Sequence, residues 1–323
     1  MTVRLQDVFE ENGWSIRRTP KVISHLQDLL ENTKALRGMI DGIKPDEQSK
    51  GAGGGFHFGG VHRSTDSSVL IKLGSSPGER YWMEQMCHVA PKLVPSVYAT
   101  GNKLGDLNID WIALEKVDCS FLGPQWNGNE FDMLLDAAAH FQKAARQIPM
   151  AHVDRIDLNR LRAYFDKGLF DEGLSFDQTA PFDVIVRRLE EDFKWVCSVC
   201  CYEICHGDIQ MNNGLALGAP PERCPLLLID PLPKSQPWAF DAGYLQAINS
   251  EDRKRTGYTG LIHKLASYRL ERGLEVCNEE DLDRLEKIVV AWYAIWTWDD
   301  EDAEESNDYV DEVERYVLES AAL

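Results

Sequence analysis

The sequence predicts an α+β chain in two lobes, a small β-rich first lobe over residues 1–117 and a larger, mainly helical second lobe over residues 118–323. Three observations carry this. Strand-like runs and a Gly-rich turn fill the first third of the chain. From Asn129 onward apolar residues recur at helical spacing. Between helical stretches, the loop segment with Asp208 and Asn213 is followed by an apolar strand pattern that ends in Asp230. At 323 residues, 44% of them apolar and nine of them Trp, the chain can bury a sizeable core.

The formal charge is −19, from 34 Lys and Arg against 53 Asp and Glu. Such a field repels nucleic-acid phosphate and anionic lipid, so neither nucleic acid nor a membrane surface is an expected partner. A small cationic molecule suits the charge better, although acidity that serves only solubility looks the same. No apolar stretch approaches the roughly 18 residues of a membrane span, and no basic region followed by an apolar run opens the chain. A cytoplasmic monomer or homodimer is expected.

Four of the eight cysteines cluster as Cys197, Cys200, Cys201 and Cys205. Thiolates two or three positions apart can share a tetrahedral zinc, but no second Cys or His pair at finger or ribbon spacing follows. In the apolar segment from Trp195 to Ile204 they read as small buried hydrophobes, reduced in a cytosolic setting.

Taken in order, residues 1 to about 45 contain a leading helix, with Val22, Leu26, Leu29 and Leu30 at helical spacing and Thr19-Pro20 as cap and first-turn residue. Gly51 to Gly60 holds six glycines in ten residues, ahead of the strand pattern Ser68 to Leu73. A Gly-rich turn between strands lets backbone N–H groups approach phosphate closely; a flexible hairpin connection has the same composition. Lys72, on the strand beneath that turn, can reach the first two phosphates of a nucleotide. Ser76-Pro77-Gly78-Glu79 starts a helix as a capping box, and Trp82, Met83 and Met86 give it a buried face. Glu79 is the expected partner of Lys72, with Glu84 as fallback; capping its own helix is the other role open to Glu79. Val94 to Ala99 and Trp111 to Val117 read as strands, and backbone groups from Glu115 to Val117 would face an adenine ring.

In the second lobe Asp208 precedes Asn213 by five positions, the spacing of the H-R-D-x-x-x-x-N loop of phosphoryl-transfer enzymes. Moving a terminal phosphoryl group to a hydroxyl calls for positioning and charge neutralisation. Asp208 would accept the acceptor's hydroxyl proton. Asn213 and Asp230 would offer oxygen ligands to magnesium, and Asp230 would be the principal metal carboxylate. His206 would hold the loop, and Gly207 would allow its tight turn.

His206-Gly207-Asp208 through Asn213, with Asp230 after an apolar strand, resembles the HGDxxxxN loop and metal-binding Asp of the aminoglycoside phosphotransferase family. That family has the protein-kinase-like fold and also includes choline, homoserine and methylthioribose kinases. Ile229-Asp230-Pro231-x-Pro233 followed by Ala239-Phe240-Asp241 is similar to the IDPxP...AxD pattern of the streptomycin, viomycin and hydroxyurea-type phosphotransferases. Ser235-Gln236-Pro237-Trp238 replaces the Gly-Asp pair usual there. The resemblance covers residues 50 to 300 and implies a kinase using ATP or GTP and magnesium. It implies that Asp241 braces the catalytic loop from the start of the next helix, a place an ordinary first-turn Asp would also occupy. It implies that C-terminal helices build the substrate pocket, where Asp299 and Asp300 would meet a cationic antibiotic such as an aminoglycoside. A solvated acidic loop is the alternative for that run. For the whole chain, the alternatives are a metabolic kinase for choline, an amino alcohol or a sugar, and a catalytically silent nucleotide-binding protein.

Overall fold

The Thr19 hydroxyl accepts from the Val22 N–H at 3.3 Å and Pro20 takes the first helical position, so helix α1 (Pro20–Asn32) begins at its sequence signal. The structure, a computed structural model, describes residues 19–46, 55–117, 119–121, 129–166, 182–217, 226–249, 256–296 and 307–322. Leu26 and Leu30, one turn apart on α1, are fully buried. The leading helix stops at Asn32, and strand β1 (Ile40–Pro45) follows. A register shift between Asp41 and Lys44 puts the buried Ile40 and Ile43 three positions apart, which conceals the period-two signature of a strand.

Strand β2 (Phe56–His62) and strand β3 (Ser67–Leu73) form an antiparallel hairpin in which Lys72 stands opposite His57. Part of the Gly-rich run is strand. Gly59 and Gly60 lie inside β2, and a Cβ on Gly60 would come within 2.5 Å of Ile40 Cγ2, so close strand approach accounts for that glycine. Residues 51–54 lie outside the described residues. Helix α2 (Pro77–Val89) buries Trp82, Met83 and Met86. Strands β4 (Val97–Gly101) and β5 (Trp111–Glu115) complete a five-stranded antiparallel sheet ordered β1-β2-β3-β5-β4. Phe56, Phe58, Ile71, Leu73 and Trp111 form its core with Leu26 and Leu30.

This sheet lies in the first of two units into which the chain divides, Met1–Cys119 with Leu217–Ile229; the second is Ser120–Ala216 with Asp230–Leu323. Short strand β6 (Cys119–Phe121) falls at the first division. In the second unit, helix α3 (Asn129–Ala145) buries Phe131, Leu134, Leu135, Ala138 and Phe141. Strand β7 (Asp154–Arg155), helix α4 (Leu158–Asp166), helix α5 (Phe182–Val199) and strand β8 (Tyr202–Cys205) follow. Strand β9 (Gly214–Leu217) comes next; strand β10 (Leu226–Leu228) belongs to the first unit, and strand β11 (Lys234–Pro237) returns to the second. β11 runs antiparallel to β8 and parallel to β7, with Lys234 opposite Cys205 and Gln236 opposite Glu203. The segment after Asp230 is thereby laced to the strand that leads into the Asp208 loop.

Helices α6 (Phe240–Ile248), α7 (Leu261–Glu271) and α8 (Glu279–Trp296) follow the site. Helix α9 (Asn307–Ala321) buries Val313, Tyr316 and Val317, and the Trp292 indole N–H donates to the Tyr316 hydroxyl at 3.2 Å. Apolar residues at helical spacing outweigh the acidic composition there. Among the described residues no helix is long and apolar enough to cross a membrane.

Truncating the fully buried Leu30 to alanine removes a side chain from the core of the first unit. Leu30→Ala is expected to lower unfolding stability by about 2–5 kcal/mol, read from the midpoint and slope of urea unfolding.

Candidate active site

Strand β8 ends at Cys205, and the chain then turns through His206, Gly207 and Asp208. Gly207 has φ +81°, and a Cβ there would collide with the Leu232 carbonyl oxygen, so no other residue fits the turn without moving its neighbour. Leu232 N–H in turn donates to the His206 carbonyl at 3.0 Å. His206 is fully buried, with its ring edge-on to Phe141 at 5.2 Å.

Asp241, in the first turn of α6, is the anchor of this turn. Its Oδ1 accepts from Gly207 N at 3.1 Å, and its Oδ2 accepts from His206 N at 3.2 Å and from Gln142 Nε2 at 3.2 Å. Burial holds the Asp241 carboxyl above its usual range, and His206 and these donors offset only part of that rise. Gln142 is itself held by Arg269, whose guanidinium reaches Gln142 Oε1 and Glu203 Oε1, the latter at 3.1 Å, and lies 4.9 Å over the Trp238 ring. The sequence offered no signal for Gln142 or Arg269, because neither belongs to a local pattern.

Asp208 is loaded with donors. Tyr244 OH gives a hydrogen bond to its Oδ1 at 2.6 Å, Gln210 Nε2 one to the same oxygen at 2.8 Å, and Asn213 Nδ2 one to Oδ2 at 2.7 Å. The Asn213 amide also donates to the Asp208 carbonyl at 2.9 Å, which explains the five-residue spacing: Met211–Asn213 is a turn of 3-10 helix that brings Asn213 back onto Asp208. Burial and the neighbouring Asp208 carboxylate push the Tyr244 phenol far above its usual range, so it remains a donor. Tyr244 stands three positions after Asp241 on α6, one helical turn away, and that spacing was its only trace in the sequence.

The donor set fits a hard cation. With its amide nitrogen pinned, Asn213 presents its carbonyl oxygen, and Asp230 offers a half-buried carboxylate at φ +53°, a left-handed conformation that Asp tolerates better than most residues. One carboxylate and one amide oxygen suit magnesium, which is completed by phosphate and water. Among the described residues no group of three or more His, Cys, Asp or Glu side chains is placed to hold a metal. Of the four clustered cysteines Cys200 and Cys205 are buried and Cys197 and Cys201 half-buried, and desolvation pushes all four thiols up, away from reactive thiolate.

In the first unit, Lys72 Nζ donates to Glu79 Oε1 at 2.9 Å, and both side chains are largely buried. The Ser76 hydroxyl accepts from Glu79 N at 3.0 Å, so Glu79 is both third residue of the capped turn and partner of the lysine. Glu84 lies further along α2. The Glu115 and Lys116 N–H groups donate to Ser96 O and Ser68 O, both at 2.8 Å, and the Glu115 carboxylate accepts from Ser96 Oγ at 2.7 Å. Val117 lies two positions past the end of β5. Asp299 and Asp300 lie outside the described residues.

No protein-family profile matches the chain, and no curated protein matches it. Solved structures do. A Plasmodium vivax ethanolamine kinase superposes with a TM-score of 0.55 at 14% identity, over 98% of this chain and 92% of that one. The GDP complex of aminoglycoside 2'-phosphotransferase-IIIa gives 0.55 at 14%, over 93% and 98%. A choline kinase from Streptococcus pneumoniae gives 0.51 at 14%, over 93% and 100%. The fold is protein-kinase-like. In this kinase-like chain each unit holds one set of the expected groups, Lys72 with Glu79 in the first and Asp208, Asn213, Asp230 and Asp241 in the second.

Because Gly207 sits at positive φ against the Leu232 carbonyl, Gly207→Ala must either strain the turn or push Leu232 away. We expect destabilisation of about 1–3 kcal/mol by chemical denaturation, together with faster amide exchange at His206 and Gly207.

Proposed function

We propose that the chain is a magnesium-dependent phosphotransferase that moves the terminal phosphoryl group of ATP or GTP to a hydroxyl of a small molecule. The observation that carries this is Asp208. It is a partly exposed carboxylate, aimed by hydrogen bonds from Tyr244, Gln210 and Asn213, on a loop that a buried Asp241 fixes through two consecutive N–H groups. In a kinase-like fold such a group meets the acceptor.

The acceptor hydroxyl donates to Asp208, which orients its oxygen toward the terminal phosphorus. As the new O–P bond forms and the bond to the leaving nucleoside diphosphate breaks, the hydroxyl proton passes to the Asp208 carboxylate. Asn213 and Asp230 would hold magnesium, whose charge offsets that gathering on the phosphoryl oxygens when it is bound. Lys72, oriented by Glu79, would serve the inner phosphates, and the backbone at Glu115 to Val117 the base. The N–H groups of Glu115 and Lys116 already bond to Ser96 and Ser68, so of the three positions Val117 is the best placed to donate to the base.

The streptomycin-type pattern from Ile229 to Asp241 supports a natural product or antibiotic as acceptor, and the fold's likeness to ethanolamine and choline kinases supports an amino alcohol. The expectation of a cationic acceptor rests on the whole-chain charge of −19, a long-range property that salt screens over about 8 Å. Asp299 and Asp300 remain candidates for such an acceptor on sequence grounds.

Purified protein with magnesium and ATP or GTP, offered a broad panel of hydroxylated amines, sugars and acids, should add one phosphate to at least one compound by mass spectrometry; transfer to none would remove the basis of the proposal. Asp208→Asn should keep nucleotide binding and lose about 10²–10⁴-fold in transfer. Asp230→Ala should instead weaken nucleotide binding in a magnesium-dependent way, measured by titration calorimetry with and without the metal. Unchanged magnesium dependence would count against its role.

A further inference from the structure

Beside Asp208 the second unit carries a cation of its own. Lys234, the first residue of β11, donates from Nζ to the Gly207 carbonyl at 3.1 Å, one residue before Asp208. The same ammonium lies 5.8 Å from the centre of the Tyr244 ring and 5.3 Å from that of Trp296, within cation–π range of both. Tyr244 is the residue whose hydroxyl touches Asp208. Tyr244, Tyr293 and Trp296 pack on one another with ring centres 5.3 to 5.7 Å apart. Lys234, Tyr293 and Trp296 also line a small cavity of about 10 Å³, room for about one water, with Gln236 and Trp292. Among the described residues no carboxylate pairs with Lys234; its contacts are one carbonyl and two aromatic faces.

This arrangement bears on the acceptor. Aromatic faces grouped beside a phosphoryl-transfer carboxylate are suited to holding an ammonium group, and here a lysine of the chain already occupies them. A second cation would meet both an occupied surface and a like charge, whereas an anionic group would find an unpaired-by-carboxylate ammonium held in place by three contacts. We propose that Lys234 is a specificity-determining residue that selects an acceptor with a carboxylate or comparable anionic group near its reactive hydroxyl, and that it excludes quaternary and protonated amines from the Tyr244–Trp296 faces. The proposal rests on the phosphotransferase reading for its identification of the acceptor side. It replaces the inference from net charge with one from the groups that stand next to Asp208.

Binding of three probes to the full chain tests it without turnover: D-glycerate, a small hydroxy carboxylate; tetramethylammonium; and inorganic phosphate. Affinities come from titration calorimetry, with thermal shift in parallel. The wild-type chain should bind glycerate at least tenfold tighter than tetramethylammonium. Lys234→Met should lose at least tenfold in glycerate affinity and gain in tetramethylammonium affinity as the aromatic faces are uncovered. Lys234→Arg, which keeps the charge, should retain the glycerate preference; this guards against a loss that merely reports misfolding.

Equal or tighter binding of tetramethylammonium by the wild type would overturn the proposal, as would a glycerate to tetramethylammonium ratio that Lys234→Met leaves within twofold. Failure of both proteins to bind either probe would also overturn it. Loss confined to inorganic phosphate would assign Lys234 to the transferring phosphoryl group and likewise overturn its role toward the acceptor. The phosphotransferase reading fails separately: absence of phosphate transfer across the panel, with the probe ratio reversing as expected, would sink that reading and leave Lys234 as an anion-selective residue.

Discussion

A carboxylate buried beneath two consecutive backbone N–H groups is the contact on which the second unit's site depends. Asp241 is almost wholly removed from water, and its oxygens are satisfied by His206 N, Gly207 N and Gln142 Nε2. A buried carboxylate left without donors is costly, so the turn is held in the one conformation that presents them. The requirement spreads outward. Gln142 can donate to Asp241 because Arg269 holds its carbonyl end, and Arg269 is itself fully buried against Glu203 and Trp238. Helices α3, α6 and α7 and strand β8 thus share one polar network, and the aim of Asp208 is set by packing well away from it.

The first unit reaches its own ion pair by two local rules. Strand parity sends Val69, Ile71 and Leu73 into the core and turns Lys72 the other way. The capping box at Ser76 then fixes Glu79 in the first turn of α2, three positions on. The two charges stand seven positions apart, and a strand that ends at Leu73 followed by a helix that starts at Pro77 leaves the chain little choice but to bring them together. Hydrogen-bonding and burial requirements that would be separate in a longer loop are met here by one short connection.

Features that depend on local chemistry were legible in the sequence, and those that depend on distant partners were not. The Thr19 and Ser76 caps, the helical spacing that became α3, the hairpin carrying Lys72 and the two-part α+β architecture follow from short patterns. The Asp208 to Asn213 spacing was visible, and its physical cause is a 3-10 turn with an amide folded back on the carboxylate. Strand β1 was hidden because its bulge mimics helical spacing, and α9 because its acidic residues mask an apolar stripe. Tyr244 and Lys234 stood within a few residues of the recognised pattern, but their meaning arises only when α6 and β11 pack around the loop. Gln142 and Arg269 contact Asp241 and Glu203 from far along the chain, and no local period could announce them.

The register of β11 on β8 also limits how this site can change over time. Lys234 and Gln236 face the cavity because alternate residues of a strand share a side, while Ser235 and Pro237 face the other way. Gaining or losing a single residue between Asp230 and Lys234 would shift the strand by one and reverse both faces, removing the ammonium and the amide from the cavity wall in one event. Substitutions in place keep the strand's phase and alter what stands beside Asp208 while leaving its Asp241 brace intact. The short stretch after Asp230 is therefore where descendants of this chain could acquire new acceptors without rebuilding the catalytic loop.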